Sequence, residues 1–283
     1  MSKIVFSTES VADLPKHLIE KYQIQEIPMH VIIDGKDYLE SELSVEQVYD
    51  YYSRTKKIPS TTSTNAYEYH HFFSKISKDF PNHMIIHLGY TSRSSGSFQS
   101  AVIAAKNFEN LFLIDTLNVT GGLATIVMYA AKVLEEDPTI DHFQLIEKIE
   151  SILPKTRLAF IPDSLDFLRA GGRVSNAAFI GGTLLKIKPC IELIEGKLVP
   201  TRKYHGNMNN VAKKLMHDYL TQYNIDRKQL NLVYSLGLDE RIKRNMEIMA
   251  KENGFENIEW IQGGPTISTH SGPGCFGISG IEH

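Results

Sequence analysis

Short apolar runs alternate with helix-patterned segments along the first half of the chain, and that alternation limits what it can fold into. KIVFS (3–7), IQEIPMHVII (24–33), MIIHL (84–88) and NLFLID (110–115) read as buried strands. Helical segments are expected near 12–22, over about 44–55 and 66–78, and after the tract GYTSRSSGSFQSA (89–101). A further helix follows, with Leu123, Ile126, Val127, Ala130, Ala131 and Leu134 at i, i+3, i+4, i+7 spacing. Strands apolar throughout and separated by helices point to a parallel sheet covered on both faces. Ligands of such sheets sit beyond the carboxyl ends of the strands, where chain passes into helix. The tract 89–101 occupies such a place.

The second half has a different texture. RLAFIP (157–162) leads to a helix ending at RAGGR, whose double glycine supplies a C-cap. A helix is expected over 176–186, stopped by Pro189, and CIELIEGKLVPTRK then reads as a hairpin about Glu195-Gly196-Lys197. A helix near 208–222, the strand LNLVYSL (230–236), a helix over 239–252 and a last strand near 275–281 complete the chain. The uncharged window 260–281 reads as a loop plus that short strand. The expected fold is α/β in two domains: a parallel-sheet domain over 1–155, and an α+β domain with a mixed or antiparallel sheet over 156–283.

Composition removes several function classes. A net charge of −3 offers no global attraction to nucleic acid or anionic membrane. The uncharged window 116–131 is too short and too polar to span a bilayer. The start, MSKIVFSTES, lacks a secretory apolar core, so the expected location is cytoplasmic. Cys190 and Cys275 lie far apart without CxxC spacing, which argues against a disulfide framework and a thiolate zinc site. His70 and His71 are adjacent on a helix and lack the i, i+4 partner of a metal pair, so no metal is expected.

Three chemistries compete for the hydroxyl-rich tract 89–101. A nucleophile would sit in GxSxG, but here the order is Ser94-Ser95-Gly96-Ser97 without the leading glycine. His270 could serve as its base, with Asp115 or Asp163 orienting it. A phosphate cradle finds no GxxxxGK[ST]. The GxGxxG match at Gly272, Gly274 and Gly277 stands where no βαβ unit can follow, so these glycines read as a close approach before the last strand. Anion binding by neutral donors remains. A helix start at Ser95 and Gly96 exposes unpaired amides and a partial positive charge. A second tract, PSTTSTN (59–65), precedes another helix; alone it reads as N-capping, and together the two could converge on one carboxylate.

Motifs along nearly the whole chain resemble the DegV family. Thr8-Glu9-Ser10 is similar to a family Thr-Asp-Ser, and Thr62-Ser63 falls in the first hydroxyl tract. Ser95-Gly96-Ser97-Phe98-Gln99-Ser100 resembles Ser-Gly-Thr-Tyr-Gln-Ser. Gly171-Gly172-Arg173-Val174-Ser175, Leu185-Lys186-Ile187-Lys188-Pro189, Thr201-Arg202-Lys203 and His270-Ser271-Gly272-Pro273-Gly274 complete the set. The resemblance implies a non-catalytic protein without cofactor, holding a long-chain fatty acid in a tunnel between two domains. It further implies that the carboxylate is presented to a separate fatty acid kinase and converted to an acyl phosphate for phospholipid synthesis. By the same resemblance, Thr62, Ser95, Gly96 and His270 hold the carboxylate, with Ser63 and Ser94 in support. Arg173 and Arg202 face the kinase. Partners are then the fatty acid and the kinase catalytic subunit, without nucleic acid and with at most transient membrane contact. Phe160, Ile161, Phe179, Ile180, Leu184 and Leu185 are candidate tunnel walls. The competing reading is an enzyme: a hydrolase using Ser95 and His270, or a phosphotransferase related to dihydroxyacetone kinase.

Overall fold

In the computed structural model, which describes residues 3–174 and 187–283, the first half builds a four-stranded parallel sheet. Its strands β1 (Lys3–Glu9), β2 (Gln25–Ile27), β6 (His83–Gly89) and β7 (Leu111–Asp115) run in the order β2-β1-β6-β7. Helices α1 (Lys16–Tyr22), α3 (Ala66–Asp79), α4 (Ser97–Ala105) and α5 (Thr120–Glu136) connect these strands or follow them. A helix not expected from the pattern, α6 (His142–Ile152), buries Leu145, Ile149 and Ile152 along one stripe.

The run 24–33, expected as one strand, is two. Pro28 has no amide to donate, so the ladder of β2 ends before it. The chain then enters β3 (His30–Ile33), part of a separate antiparallel sheet with β4 (Lys36–Leu39) and β5 (Ser60–Thr62). Asp34 and Gly35 turn β3 into β4 with φ of 50° and 78°, the left-handed pair that a two-residue hairpin requires. Helix α2 (Val45–Thr55) leads from this hairpin towards β5.

The second half forms a six-stranded mixed sheet. Its strands are β8 (Thr156–Ile161), β9 (Ile187–Ile194), β10 (Lys197–His205), β11 (Gln229–Tyr234), β12 (Asn257–Gln262) and β13 (Phe276–Ile281). They run β10-β9-β8-β13-β11-β12, and only β11 and β12 pair in parallel. Helices α8 (Met208–Gln222) and α9 (Glu240–Glu252) cover one face through Val211, Leu215, Ile242 and Met246. The opposite face packs on α5. Helix α5 also packs on β1 and β6, so it lies between the two sheets, which is why apolar residues surround it on nearly every side. Its first turn comes so close that a Cβ on Gly121 would lie 2.2 Å from Val233.

The window 260–281 holds more order than expected. The end of β12 lies in it, and α10 (Pro265–Ser271) follows, seven residues with proline in the first turn. Charged residues are absent, and the helix is small and hydroxyl-rich, so no amphipathic period marks it. Ser268 and Thr269 turn their hydroxyls back onto the carbonyls of Gly263 and Pro265. The helix expected over 176–186, and the tunnel candidates Phe179, Ile180, Leu184 and Leu185, lie outside the described residues, as do Ser175, Leu185 and Lys186 of the quoted motifs.

Candidate functional site

Helix α10 belongs by sequence to the second half but packs on α2, β3 and β5 of the first, and on α7 (Asp166–Gly171). It thereby carries His270 across to β5, where Nε2 lies 2.9 Å from Thr61 Oγ1. Neighbouring residues of a strand point to opposite faces. Thr61 pairs across the sheet with fully buried Val31 and turns inward, while Thr62 is exposed. The residue of this tract that meets His270 is therefore Thr61, while Thr62, the expected carboxylate ligand, lies on the other face of β5.

Ser63 and Ser95 do come together, Oγ to Oγ at 3.0 Å. The Gly96 amide donates to Ser63 Oγ at 3.3 Å, and Ser95 Oγ accepts from the Ser97 amide at 3.1 Å. The start of α4 and the end of β5 thus share one knot of small donors. Ser97, buried beneath it, was not foreseen as part of the site. Ser94 is turned elsewhere: its hydroxyl reaches the Gly196 carbonyl at 3.3 Å, as Thr91 does at 2.9 Å. The β9–β10 hairpin tip, with Glu195 and Gly196 at φ of 48° and 78°, is seated in the loop between β6 and α4.

An apolar cavity runs between α5, α10 and the inner face of the six-stranded sheet. Val119, Leu158, Phe160, Leu168, Val233 and Ile267 form much of its wall, and Tyr90, Arg173, His270 and Cys275 also face it. The free volume within it is about 60 Å³. Of the expected site residues, His270 and Arg173 line this cavity. Of the expected tunnel walls, Phe160 faces it, while Ile161, one step along β8, joins the core under α8.

The electrostatics at His270 are unusual. Nδ1 is buried with no hydrogen-bond partner. Burial, and the Arg173 guanidinium nearby, push the imidazole down to about 4, so it is neutral at pH 7. Arg173 donates to the Gly171 carbonyl at 2.6 Å and, with Arg93, Ser94 and Lys197, also lines a cationic cleft beside the cavity. Arg202 is elsewhere. It pairs in register with Cys190 in the core under α8, and its guanidinium lies 3.5 Å from buried Glu192 and 3.7 Å from Asp218 of α8. A bulge between Pro200 and Arg202 shifts the register at that point, which a repeating pattern does not reveal.

Beneath the tract, buried Glu9 orders the loop that follows β6. It accepts from the Tyr69 hydroxyl at 2.6 Å and from the Tyr90 amide at 2.8 Å, with His87 3.4 Å away. Burial pushes this carboxyl up, but His87 and the donors outweigh it and hold Glu9 below its ordinary value.

Ser95 and His270 form no hydrogen bond with each other; Ser63 and Ser97 take the one, Thr61 the other. Among the described residues no group of three or more His, Cys, Asp or Glu side chains could hold a metal, and no helix is long and apolar enough to cross a membrane.

Known proteins share this architecture. A DegV domain-containing protein of Clostridium acetobutylicum is 30% identical over 288 residues, covering 100% of this chain and 99% of its own. A Thermotoga maritima protein named fatty acid-binding protein is 26% identical over 290 residues, covering 99% and 98%. A solved structure from Thermus thermophilus, titled as fatty acid binding of a DegV family protein, superposes with a TM-score of 0.88 at 22% identity, covering 99% of this chain and 100% of that one. At that identity the superposition establishes the fold. A family model described as "Uncharacterised protein, DegV family" matches residues 3–283, and the chain belongs to that family.

Proposed function

We propose that this protein binds a long-chain fatty acid, with its tail in the apolar cavity and its carboxylate at the donor knot of Ser63, Ser95 and the Gly96 amide. The Thr61–His270 pair stands beside that head group. The observation that carries this reading is an apolar cavity with His270 in its wall, neutral and with a buried nitrogen left unpaired. A buried polar atom without a partner is costly in isolation, and it suits a site where a polar head meets an apolar wall. The relatives named above support the same ligand class.

The physics is consistent with a carrier. A cavity of about 60 Å³ has room for only a few methylenes, so a long tail parts its walls on entry. Burying about 14 methylenes gains on the order of 11 kcal/mol before that opening and the ordering costs, at roughly 0.8 kcal/mol each. The tail then supplies most of the affinity, and neutral hydroxyls need only orient the head, leaving it free to depart. In this reading the four-stranded and the six-stranded sheet belong to two domains, 1–155 and 156–283, and the protein is not itself an enzyme. A separate kinase meets the cationic cleft around Arg173 and converts the carboxylate to an acyl phosphate. The lack of a Ser95–His270 hydrogen bond counts against the hydrolase.

Native mass spectrometry of the purified chain tests the ligand. A copurified fatty acid, or uptake of added oleate or palmitate in a one-to-one complex, is the expected result; failure of both overturns the reading. ATP-dependent phosphorylation of the bound acid only when a kinase subunit is added tests the division of labour.

A further inference from the structure

Two buried acids clasp the walls of the cavity. Asp13, in the left-handed conformation at φ 54°, accepts from the Gly264 amide at 2.8 Å through Oδ1, and Thr120 donates to its Oδ2. Glu40 accepts from the Thr266 amide at 3.0 Å through Oε1, and Ser10 donates to its Oε2. Gly264 and Thr266 open α10, which carries His270. Thr120 opens α5 and itself lines the cavity. It sits at φ 44°, which a β-branched residue rarely adopts and which surrounding contacts must hold.

The two carboxyls are neighbours: a Cβ on Gly264 would lie 2.6 Å from Glu40 Oε1 and 3.1 Å from Asp13 Oδ1. Other groups facing them are few. Glu26 on β2 adds a third acid, Ser10 and Thr120 add hydroxyls, and α10 adds amides. Among the described residues no lysine or arginine pairs with any of the three acids. Two like charges buried side by side without a cation cannot both ionise at ordinary cost. Hydrogen bonding leaves room for a proton, because a neutral Asp13 can donate through Oδ2 to Thr120 Oγ1 and still accept from Gly264 through Oδ1.

We propose that Asp13 and Glu40 form a proton-dependent clasp: while the pair retains a proton it seats the start of α10 against the start of α5, and loss of that proton loosens α10 and with it His270. Burial and the neighbouring Glu40 raise Asp13 well above its ordinary value, burial raises Glu40, and burial raises Glu26 to about 8, in agreement with this arrangement. The sign follows from linkage. The closed clasp holds the proton and the opened one releases it, so closure is strongest in acid. It weakens by up to about tenfold per pH unit as pH rises from the ordinary carboxylate range to the raised value. His270 titrates near the acid end and does not contribute above neutrality.

Amide hydrogen exchange at Gly264, Thr266 and the α10 residues tests this in the full chain, corrected for intrinsic rates, across about pH 5.5 to 8.5. The wild type is expected to lose protection there by severalfold to tenfold per pH unit over part of that range. Asp13→Asn, which reproduces the hydrogen bonds of the neutral acid, is expected to keep α10 protected with a flat profile, and Glu40→Gln to flatten it in part. Equal slopes in wild type and Asp13→Asn overturn the proposal. So does an Asp13→Asn chain that fails to fold, since the amide should satisfy the same partners. The measurement needs no ligand, so its outcome is separate from that of the fatty acid experiment.

Discussion

His270 occupies the space that a side chain on residue 171 would need: a Cβ built on Gly171 would lie 2.2 Å from His270 Nδ1. The glycine at the end of α7 is therefore what lets the imidazole reach Thr61. The C-cap proper is its neighbour, Gly172, at φ 63°. Gly171→Ala is expected to displace the ring, break the Thr61 hydrogen bond and destabilise the fold by about 1–3 kcal/mol. Urea unfolding measures the loss, and a fall in retained fatty acid on purification measures the effect at the cavity. An alanine variant with unchanged stability and retention contradicts this placement of His270.

Thr61 and Thr62 separate two readings of one tract. Thr61→Val removes the hydroxyl facing His270 at nearly constant volume and is expected to weaken ligand retention severalfold. Thr62→Val, on the exposed face of β5, should change stability by no more than about 0.5 kcal/mol and leave retention alone. Side-by-side native mass spectra of the two variants decide it; a larger effect at Thr62 reverses the assignment.

The depressed His270 imparts an acid sensitivity of its own. Its folded value, about 4, lies below the ordinary histidine value, so the unfolded chain takes up a proton first. The stability tied to the neutral ring is full above the ordinary value and is lost as pH falls through the window down to about 4. His270→Gln is expected to reduce this loss, which amounts to about 3 kcal/mol. Arg173→Gln should narrow the window by removing a nearby charge. Urea midpoints at several pH values, compared between wild type and variants, give both answers.

The hairpin tip is expected to act as a brace for the α4 loop. A Cβ on Gly196 would lie 2.6 Å from Thr91 Oγ1 and 2.8 Å from Arg93 Cγ, in a left-handed backbone at φ 78°. Gly196→Ala should cost about 1–3 kcal/mol and expose Arg93 to faster trypsin cleavage. Unaltered cleavage would mean that the loop holds its shape without the tip.

Arg202→Ala should behave as a stability variant. It removes the cation beside buried Glu192, which keeps Thr201 and Tyr223 as hydrogen-bond donors. A loss of about 1–3 kcal/mol in urea unfolding, with fatty acid retention unchanged, is the expected outcome.

Much of this molecule is written in local pattern. Strand and helix periods placed β1, β6, β7, α2, α3, α5 and α8 within a few residues, because each buries one face and burial repeats with the element's own geometry. That the Ser63 and Ser95 tracts could meet was legible from two hydroxyl-rich helix starts; that β5 delivers the first of them from a separate antiparallel sheet was not. Other features were not. That Thr61 rather than Thr62 faces inward was hidden because a three-residue strand is too short to show its alternation in sequence. Arg202 lies under α8 because a bulge shifted its register. Helix α10 left no trace, being held by Asp13 and Glu40 from more than 200 residues away rather than by an apolar stripe of its own. The sequence by itself determined which segments become strands and helices, and that hydroxyls stand at two loop ends, since those depend on neighbours along the chain. The tertiary structure alone decided that α10 crosses to the first half, that His270 meets Thr61 over a glycine, and that two acids share a seat, since those depend on packing between residues that the chain order keeps far apart.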